Sequence, residues 1–353
     1  MNDMLGNMTA KRARHQYQAD REIAVAPMMD CTDRHCRMLH RLINPDILLY
    51  TEMITSYALL YGEAEHLLDF DAREHPVALQ LGGSEPDKLA RCAEMARAWG
   101  YDEVNLNCGC PSDRVQQGRF GVTLMREPEL VARCVSAMQT QCDIAVTVKC
   151  RIGVDTQDSL EFLERFVSAL DNVGCPKIII HARKAWLKGL SPKENREKPP
   201  LNYDRVYAIK QRFPHLKIIM NGGFEDRAAV DNALSRCDGV MLGRAAYKAP
   251  YILADITERP AEEQPTRVDI ALKMADYIQM MSRDYATPWR HITRHMLGLF
   301  HGLPGGKRWR QFLSETHAAH YTYAHDYIGD ALAAMDGNRQ QEQISGAHAA
   351  VSV

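Results

Sequence analysis

The sequence predicts an α/β fold, a (β/α)8 barrel, followed by a C-terminal all-α helical domain. Three observations carry that expectation. Eight short apolar runs alternate with helix-like segments between residues 23 and 245, most runs end in a polar residue or glycine, and only helical patterning follows a Pro-rich acidic stretch. Near-continuous apolar runs suit parallel strands covered on both faces, and eight βα units in about 230 residues match a closed barrel. An open doubly wound sheet is the alternative, because pattern alone does not prove closure.

In chain order the candidate strands are IAVAPM (23–28), ILLYTEM (47–53), VALQL (77–81), EVNLN (103–107), IAVTVK (144–149), KIIIH (177–181), KIIMN (217–221) and GVMLG (239–243). Between them, Ser84 with Asp87 resembles a capping box ahead of KLARCAEMARAWG, which closes on Gly100. EPELVARCVSAMQT, DSLEFLERFVSALDNVG and EDRAAVDNALSRC read as helices in the same way. ITERPAEEQPT (256–266) reads as a linker, and VDIALKMADYIQMMSRDY after it has amphipathic helical spacing. The expected organisation is a flexible tail at 1–20, a barrel at 21–255, a linker at 256–266, a helical domain at 267–335 and a disordered tail at 336–353.

Composition narrows the function classes. Hydrophobic residues at 46% and charged residues at 25% are ordinary globular values. A net charge of -2 gives no global attraction to polyanions, so any nucleic-acid site must be a local patch. No apolar run reaches the roughly 18 residues of a membrane span, and the N-terminus lacks the apolar core of a secretory signal. Ten scattered cysteines suit a reduced, cytoplasmic setting better than a disulfide scaffold.

The ends of the runs point to a site. Gln80, Asn107, Lys149, His181 and Asn221 stand at or beside the ends of their strands, and Gly243-Arg244 terminates the eighth. Barrel active sites lie on that C-terminal face. A solvated strand end explains any one of these residues, but poorly explains the series. MNGGF (220–224) and LGRAAYKAP (242–250) place glycine directly after strands seven and eight. Exposed backbone N–H groups there can hold phosphate oxygens, with Arg244 as a charged fork. No G-x-G-x-x-G fingerprint is evident, which disfavours a Rossmann assignment. In NLNCGCPSDRV, Cys108 and Cys110 lack paired C-x-x-C knuckles, so C-x-C is poor evidence for a metal. From Pro288 to Leu313, Arg290, Arg294, Lys307, Arg308 and Arg310 occur without an acidic residue and interleave with Trp289 and Trp309. That mixture suits a folded RNA and equally a solvated helix face. The loop at 182–202 adds Arg183, Lys184, Lys188, Lys193 and Arg196, at a length that is often functional.

The stretches APMMDCTDRHCR, YTEM, VALQLGG, NLNCGCPSDRVQQGRFG, VTVKCRIG, IIHARKAWLKGLSPKENR, NGGF and GVMLGR resemble the bacterial tRNA-dihydrouridine synthases. HARKAWLKGLSPKENR and HITRHMLGLFHGLPGGKRWRQFL are similar to the A subfamily, which modifies U20 and U20a of the tRNA D-loop. The resemblance runs from about residue 22 to about residue 315. It implies an FMN-binding TIM barrel, a helical tRNA-binding domain, NADPH as transient electron donor, tRNA as substrate, and no metal, membrane or obligate protein partner. Carried over by motif, Pro27, Met28, Gln80, Lys149 and His181 line the flavin site, and Asn221, Gly222, Gly223, Gly243 and Arg244 take its phosphate. Asn107 meets the uridine, and Lys193, Arg196, Lys307 and Arg310 hold the tRNA. Cys110 is the proton donor, whereas Cys108 stands where the motif often has an apolar residue and reads as packing. Uracil reduction needs a hydride at C6 and a proton at C5, and a thiol with a pKa of about 8.5 is mostly protonated at neutral pH. No dedicated nicotinamide motif is visible, so the sequence does not separate NADPH from NADH. A barrel flavoprotein acting on free pyrimidines is the enzymatic alternative, and it has no need of the basic C-terminal segment.

Overall fold

The computed structural model describes residues 21–316 and 318–349. The expectation for 1–20 lies outside the described residues. Eight strands, β1 (Glu22–Val25), β2 (Leu48–Thr55), β3 (Val77–Gly82), β4 (Glu103–Cys108), β5 (Ala145–Arg151), β6 (Lys177–His181), β7 (Lys217–Asn221) and β8 (Gly239–Leu242), close into one barrel in sequence order. Every pair is parallel, and β1 closes on β8 in the register Glu22↔Gly239 to Val25↔Leu242. Closure excludes the open sheet. Strand β1 stops earlier than its apolar run. Ala26 N still donates to Leu242 O at 2.7 Å, but Pro27 has no N–H to carry the ladder further. At the closing seam a side chain on Gly239 would meet the backbone oxygen of Glu22 at 2.4 Å, so glycine is required there.

The helix after β3 spans Pro86–Trp99 and opens with proline in its first turn, on Glu85 without a side-chain cap. The expected Ser84–Asp87 capping box is therefore not the start signal. Its end is as expected, with Gly100 in the left-handed region at φ 100°. Helices Pro128–Gln141, Leu160–Asp171 and Arg227–Leu234 follow β4, β5 and β7.

Alternate residues of each strand face the interior. One side of that interior is apolar, built from Ala24, Ala26, Leu48, Tyr50, Ala78, Ile179, Ile219 and Met241. At its floor lies a charged cluster. Lys177, with 1% of its side chain exposed, pairs with Glu22 at 2.8 Å and Glu103 at 2.6 Å, and Lys217 pairs with Glu22 at 2.9 Å. Burial alone would raise the pKa of Glu22, but Lys177 and Lys217 outweigh it and the carboxyl stays below its ordinary value. Burial would likewise lower Lys177, yet Glu103 and Glu22 outweigh it and the ammonium is raised.

The chain forms two compact units. Of the described residues, the first holds 21–37 and 46–243, and the second holds 38–45 and those from 244 on. The division thus falls after Gly243, not at the expected 255/256. The segment after β8 belongs with the second unit because His40 Nε2 lies 2.9 Å from Ala246 O, and Asn44 Nδ2 donates to Leu253 O at 2.8 Å. Nor is 256–266 a bare linker, since Ile256 and Thr257 are buried and Tyr251 donates its hydroxyl to Pro265 O at 3.0 Å.

The second unit contains helices Arg267–Tyr285, Trp289–Met296, Gly306–Glu315 and Ala324–Ala349. The last of these runs through the segment from 336 expected to be disordered. Ala, Gln, Glu and Arg, which favour helix, outnumber its two glycines there. Trp309 is fully buried, donates Nε1–H to Met296 O at 2.9 Å and packs edge-on to Phe300. Trp289 packs against Tyr327, 5.8 Å between rings. Trp309 thus belongs to the core, which corrects its reading as an aromatic set among basic residues for RNA, while Trp289 is half-buried against Tyr327. Among the described residues no helix is long and apolar enough to cross a membrane.

Replacing Lys177 with methionine leaves Glu22 and Glu103 buried with their main cation gone. Unfolding by denaturant should report a loss of about 3–5 kcal/mol. A loss under about 1 kcal/mol would show that the floor does not depend on this pair.

Candidate active site

The site begins with the alternation of β4. Glu103, Asn105 and Asn107 share its inward face, and Val104, Leu106 and Cys108 its outer one. Cys108 is therefore a buried thiol, which burial pushes well above its ordinary pKa. Cys110, two residues on, has left the strand and is partly exposed. The two cysteines are chemically distinct because the strand ends between them.

The loop bearing Cys110 is held from several sides. Asn107 Oδ1 accepts the N–H groups of Gly109 at 3.1 Å and Cys110 at 2.9 Å. Cys110 O accepts from Val122 N at 3.0 Å, and Gly121 packs so closely that a side chain there would meet Cys110 O at 2.6 Å. Arg151 Nε donates to Gly109 O at 2.8 Å. Its Nη1 reaches Lys184 O at 3.1 Å and Asn195 O at 3.0 Å, tying the Cys110 loop to the loop at 182–202. That long loop is itself ordered by buried Asn195, whose carboxamide accepts from Trp186 N at 2.8 Å and donates to Trp186 O at 2.9 Å.

Behind Asn107 a file of buried amides crosses the barrel. Asn107 Nδ2 donates to Gln80 Oε1, Gln80 Nε2 to Asn105 Oδ1, and Asn105 Nδ2 to Thr147 Oγ1, each at 2.8 Å. A carboxamide has two N–H donors, so Asn107 and Gln80 each keep one N–H beyond this file.

Beside the loop, positive charge accumulates. Lys149 and Arg151 stand two residues apart on the inward face of β5, next to His181 at the end of β6. Burial, with Arg151 nearby, pulls the Lys149 ammonium down to about 8. Burial, followed by the charges of Arg151, Lys149, Arg183 and Arg196, holds the His181 imidazole well below its usual pKa and hence neutral. Burial also brings Arg151 down to about 10, still charged at neutral pH, while the Cys110 thiol acts on it in the opposite sense. Lys149 Nζ donates to Asn221 Oδ1 at 3.0 Å, and Asn221 Nδ2 donates to Met241 O at 2.7 Å, so the lysine is held in place. An ammonium depressed by desolvation and by a neighbouring guanidinium is a site arranged for an incoming anion.

The glycines after β7 and β8 have different reasons. Gly222 has φ +121°, and a side chain there would meet the His181 ring at 2.7 Å. Gly223 has φ +78°, with Leu201 at 2.5 Å from the same hypothetical atom, and Tyr203 donates its hydroxyl to Gly222 O at 2.7 Å. These two are required by the fold. At Gly243 an added Cβ would meet only Met28 Sδ at 3.7 Å and Ala26 at 3.9 Å, an ordinary fit. Packing does not demand glycine there, which suits close approach of a ligand to the backbone.

Pro27 and Met28 follow β1, with Met28 against the apolar interior and Met28 N bonded to Thr32 Oγ1 at 3.0 Å. The structure thus brings Gln80, Asn107, Cys110, Lys149, His181, Asn221 and the Gly222-Gly223 pair to the C-terminal end of one barrel. Arg244 opens the helix Arg244–Lys248 in the second unit. Lys193 and Arg196 are exposed on the first unit, and Lys307 and Arg310 on the second. Reading strand ends alone overlooked Arg151, Asn105 and Thr147. Their signal was polar residues at every second position of β4 and β5.

The family described as dihydrouridine synthase (Dus) matches residues 24–330 of this chain. The chain belongs to the dihydrouridine synthase family. Relatives named tRNA-dihydrouridine(20/20a) synthase are 52% identical in Xanthomonas campestris pv. campestris, covering 85% of this chain and 89% of the relative. The corresponding protein of Shewanella oneidensis is 54% identical over 84% of this chain and 89% of its own. That of Vibrio cholerae is 53% identical over 83% and 90%. The matched span takes in the barrel and most of the helical unit described above.

Gly222→Ala and Gly243→Ala should differ in kind. Gly222→Ala forces a strained φ and a clash with His181, and thermal or chemical unfolding should show a loss of about 1–3 kcal/mol or more. Gly243→Ala should unfold within about 0.5 kcal/mol of wild type. Equal destabilisation by both would contradict the distinction.

Proposed function

We propose that this protein is an FMN-dependent, NADPH-driven tRNA-dihydrouridine(20/20a) synthase acting in the cytoplasm. The observation that carries the proposal is a partly exposed Cys110, fixed on its loop beside half-buried Lys149 and buried Arg151. The residues fit a flavin phosphate ester. Gly222, Gly223 and Gly243 offer backbone N–H groups, Arg244 adds charge one residue further along the chain, and Asn221 keeps Lys149 in position. Pro27, Met28, Gln80, Lys149 and His181 line the ring system. FMN held there and reduced by NADPH would supply the hydride for C6 of uridine.

The chain's own residues do the rest. The N–H of Asn107 left over from its bond to Gln80 is available to a uracil carbonyl. Cys110 gives its thiol proton to C5, and solvent restores it in the next cycle. The thiolate left behind faces Lys149 and Arg151. Neutral His181 donates or accepts a hydrogen bond without adding charge. Lys193 and Arg196 on one unit and Lys307 and Arg310 on the other contact tRNA phosphates, which fix register without reading sequence. The segment 267–335 serves as the tRNA-binding domain, while 21–255 carries the chemistry.

Purified protein should release FMN on denaturation and, with NADPH, form dihydrouridine at positions 20 and 20a of unmodified tRNA. Cys110→Ala should keep its flavin and its reduction by NADPH but lose about 10²–10⁴-fold in uridine reduction. Cys108→Ala should be nearly silent, and Gly243→Ala should retain less flavin while folding normally. Absence of bound or loadable FMN, or equal damage from the two cysteine variants, would overturn the assignment.

A further inference from the structure

The file of amides beneath Cys110 has a direction, and we propose that Glu103 sets it. Glu103 is a positioning residue for the Cys110 loop, acting through Thr147, Asn105, Gln80 and Asn107. The inference rests on Cys110 being the proton donor.

The two ends of a carboxamide are nearly equal in shape, so its partners decide which end faces which neighbour. Glu103, as a carboxylate, only accepts. Tyr50 donates its hydroxyl to Oε1 at 2.6 Å, Thr147 donates its hydroxyl to the same oxygen, and Lys177 holds Oε2 at 2.6 Å. Having given its proton downward, the Thr147 oxygen must accept from above, so Asn105 turns Nδ2 toward it. Asn105 Oδ1 then faces Gln80 Nε2, Gln80 Oε1 faces Asn107 Nδ2, and Asn107 Oδ1 is left for the loop. The backbone N–H groups of Gly109 and Cys110 can only donate. The acceptor at the floor and the donors at the loop therefore demand the same polarity. Thr147 and Asn105 are 0% exposed, Gln80 1% and Asn107 8%, so solvent does not replace a reversed link.

Glu103→Gln keeps the shape and inverts the floor. Its oxygen turns to Lys177 and its NH2 to Thr147, whose hydroxyl proton has then lost its acceptor below and finds the next one above it, at Asn105. Asn105, Gln80 and Asn107 each turn over, and Asn107 meets the loop with a donor facing two donors. The conflict reaches the loop only through an intact file. Thr147→Val cuts the file, and the polarity of the floor is no longer passed on. A variant that merely weakened the fold would add its damage to that of Thr147→Val, whereas a transmitted polarity is suppressed by it.

The test uses the flavin-loaded protein in four forms: wild type, Glu103→Gln, Thr147→Val and the double variant. The readouts are single-turnover uridine reduction in unmodified tRNA and alkylation of Cys110 by iodoacetamide, followed by peptide mapping. Flavin content and its reduction by NADPH are measured to normalise the rates, since Gln80 also lines the flavin site. Glu103→Gln should slow uridine reduction by about tenfold or more per bound, reduced flavin and shift the alkylation rate by about threefold or more. The double variant should return to the level of Thr147→Val alone. Additive damage in the double variant, or wild-type behaviour of Glu103→Gln in both readouts, overturns the proposal. Should Cys110→Ala keep wild-type turnover, the proton-donor reading fails, and the alkylation pattern across the four forms still decides whether Glu103 positions the loop.

Discussion

A buried carboxylate can only accept hydrogen bonds, and the organisation of this barrel's interior follows from that constraint. Glu103 sits on the floor with no exposure, and Lys177 and two hydroxyls satisfy it. Leaving a buried polar group unpaired costs about 1–3 kcal/mol, so each group above it must be oriented to match the one below. The consequence is a line of side chains from three strands, β4, β5 and β3, that ends on the backbone of the Cys110 loop. The ion pairs at the floor need not stabilise the fold more than an apolar floor would. Their contribution is orientation, which a hydrophobic core of equal volume does not supply.

A second constraint acts at the top of the barrel. Lys149, Arg151 and His181 are crowded where water is scarce, and both lysine and histidine give up basicity as a result. At His181 desolvation and the neighbouring cations act together and the imidazole stays neutral, whereas Arg151, brought down to about 10, stays ionised. An anion entering this end of the barrel relieves the repulsion, so the cost of assembling the cations is recovered on binding. In the proposed reaction Cys110 faces the same charges, so one cluster would serve ligand binding and proton release together.

Much of this was legible in the sequence because strand patterning and strand ends are local. The eight runs fell within a few residues of the observed strands, and the polar ends Gln80, Asn107, Lys149, His181 and Asn221 came together as barrel closure requires. What was not legible depended on partners distant in sequence. Arg151 looked like one more residue of the VTVKCRIG motif, and its role appears only when Gly109 and Asn195 lie on either side of it. Trp309 looked like an aromatic among basic residues, but its indole is the centre of a helical core. The division of the chain fell at Gly243 because His40 and Asn44 bind carbonyls some 200 residues later, a pairing no local pattern reports.

The claim that joins these constraints is that Cys110 protonates a uridine of tRNA at positions 20 and 20a. It is tested most directly in cells lacking this gene, by mapping dihydrouridine across the tRNA pool with and without a copy restored on a plasmid. The account predicts loss of dihydrouridine at 20 and 20a alone, recovery with the wild-type copy, and no recovery with Cys110→Ala. Normal dihydrouridine at those positions in the deletion strain, or full recovery with Cys110→Ala, would contradict it.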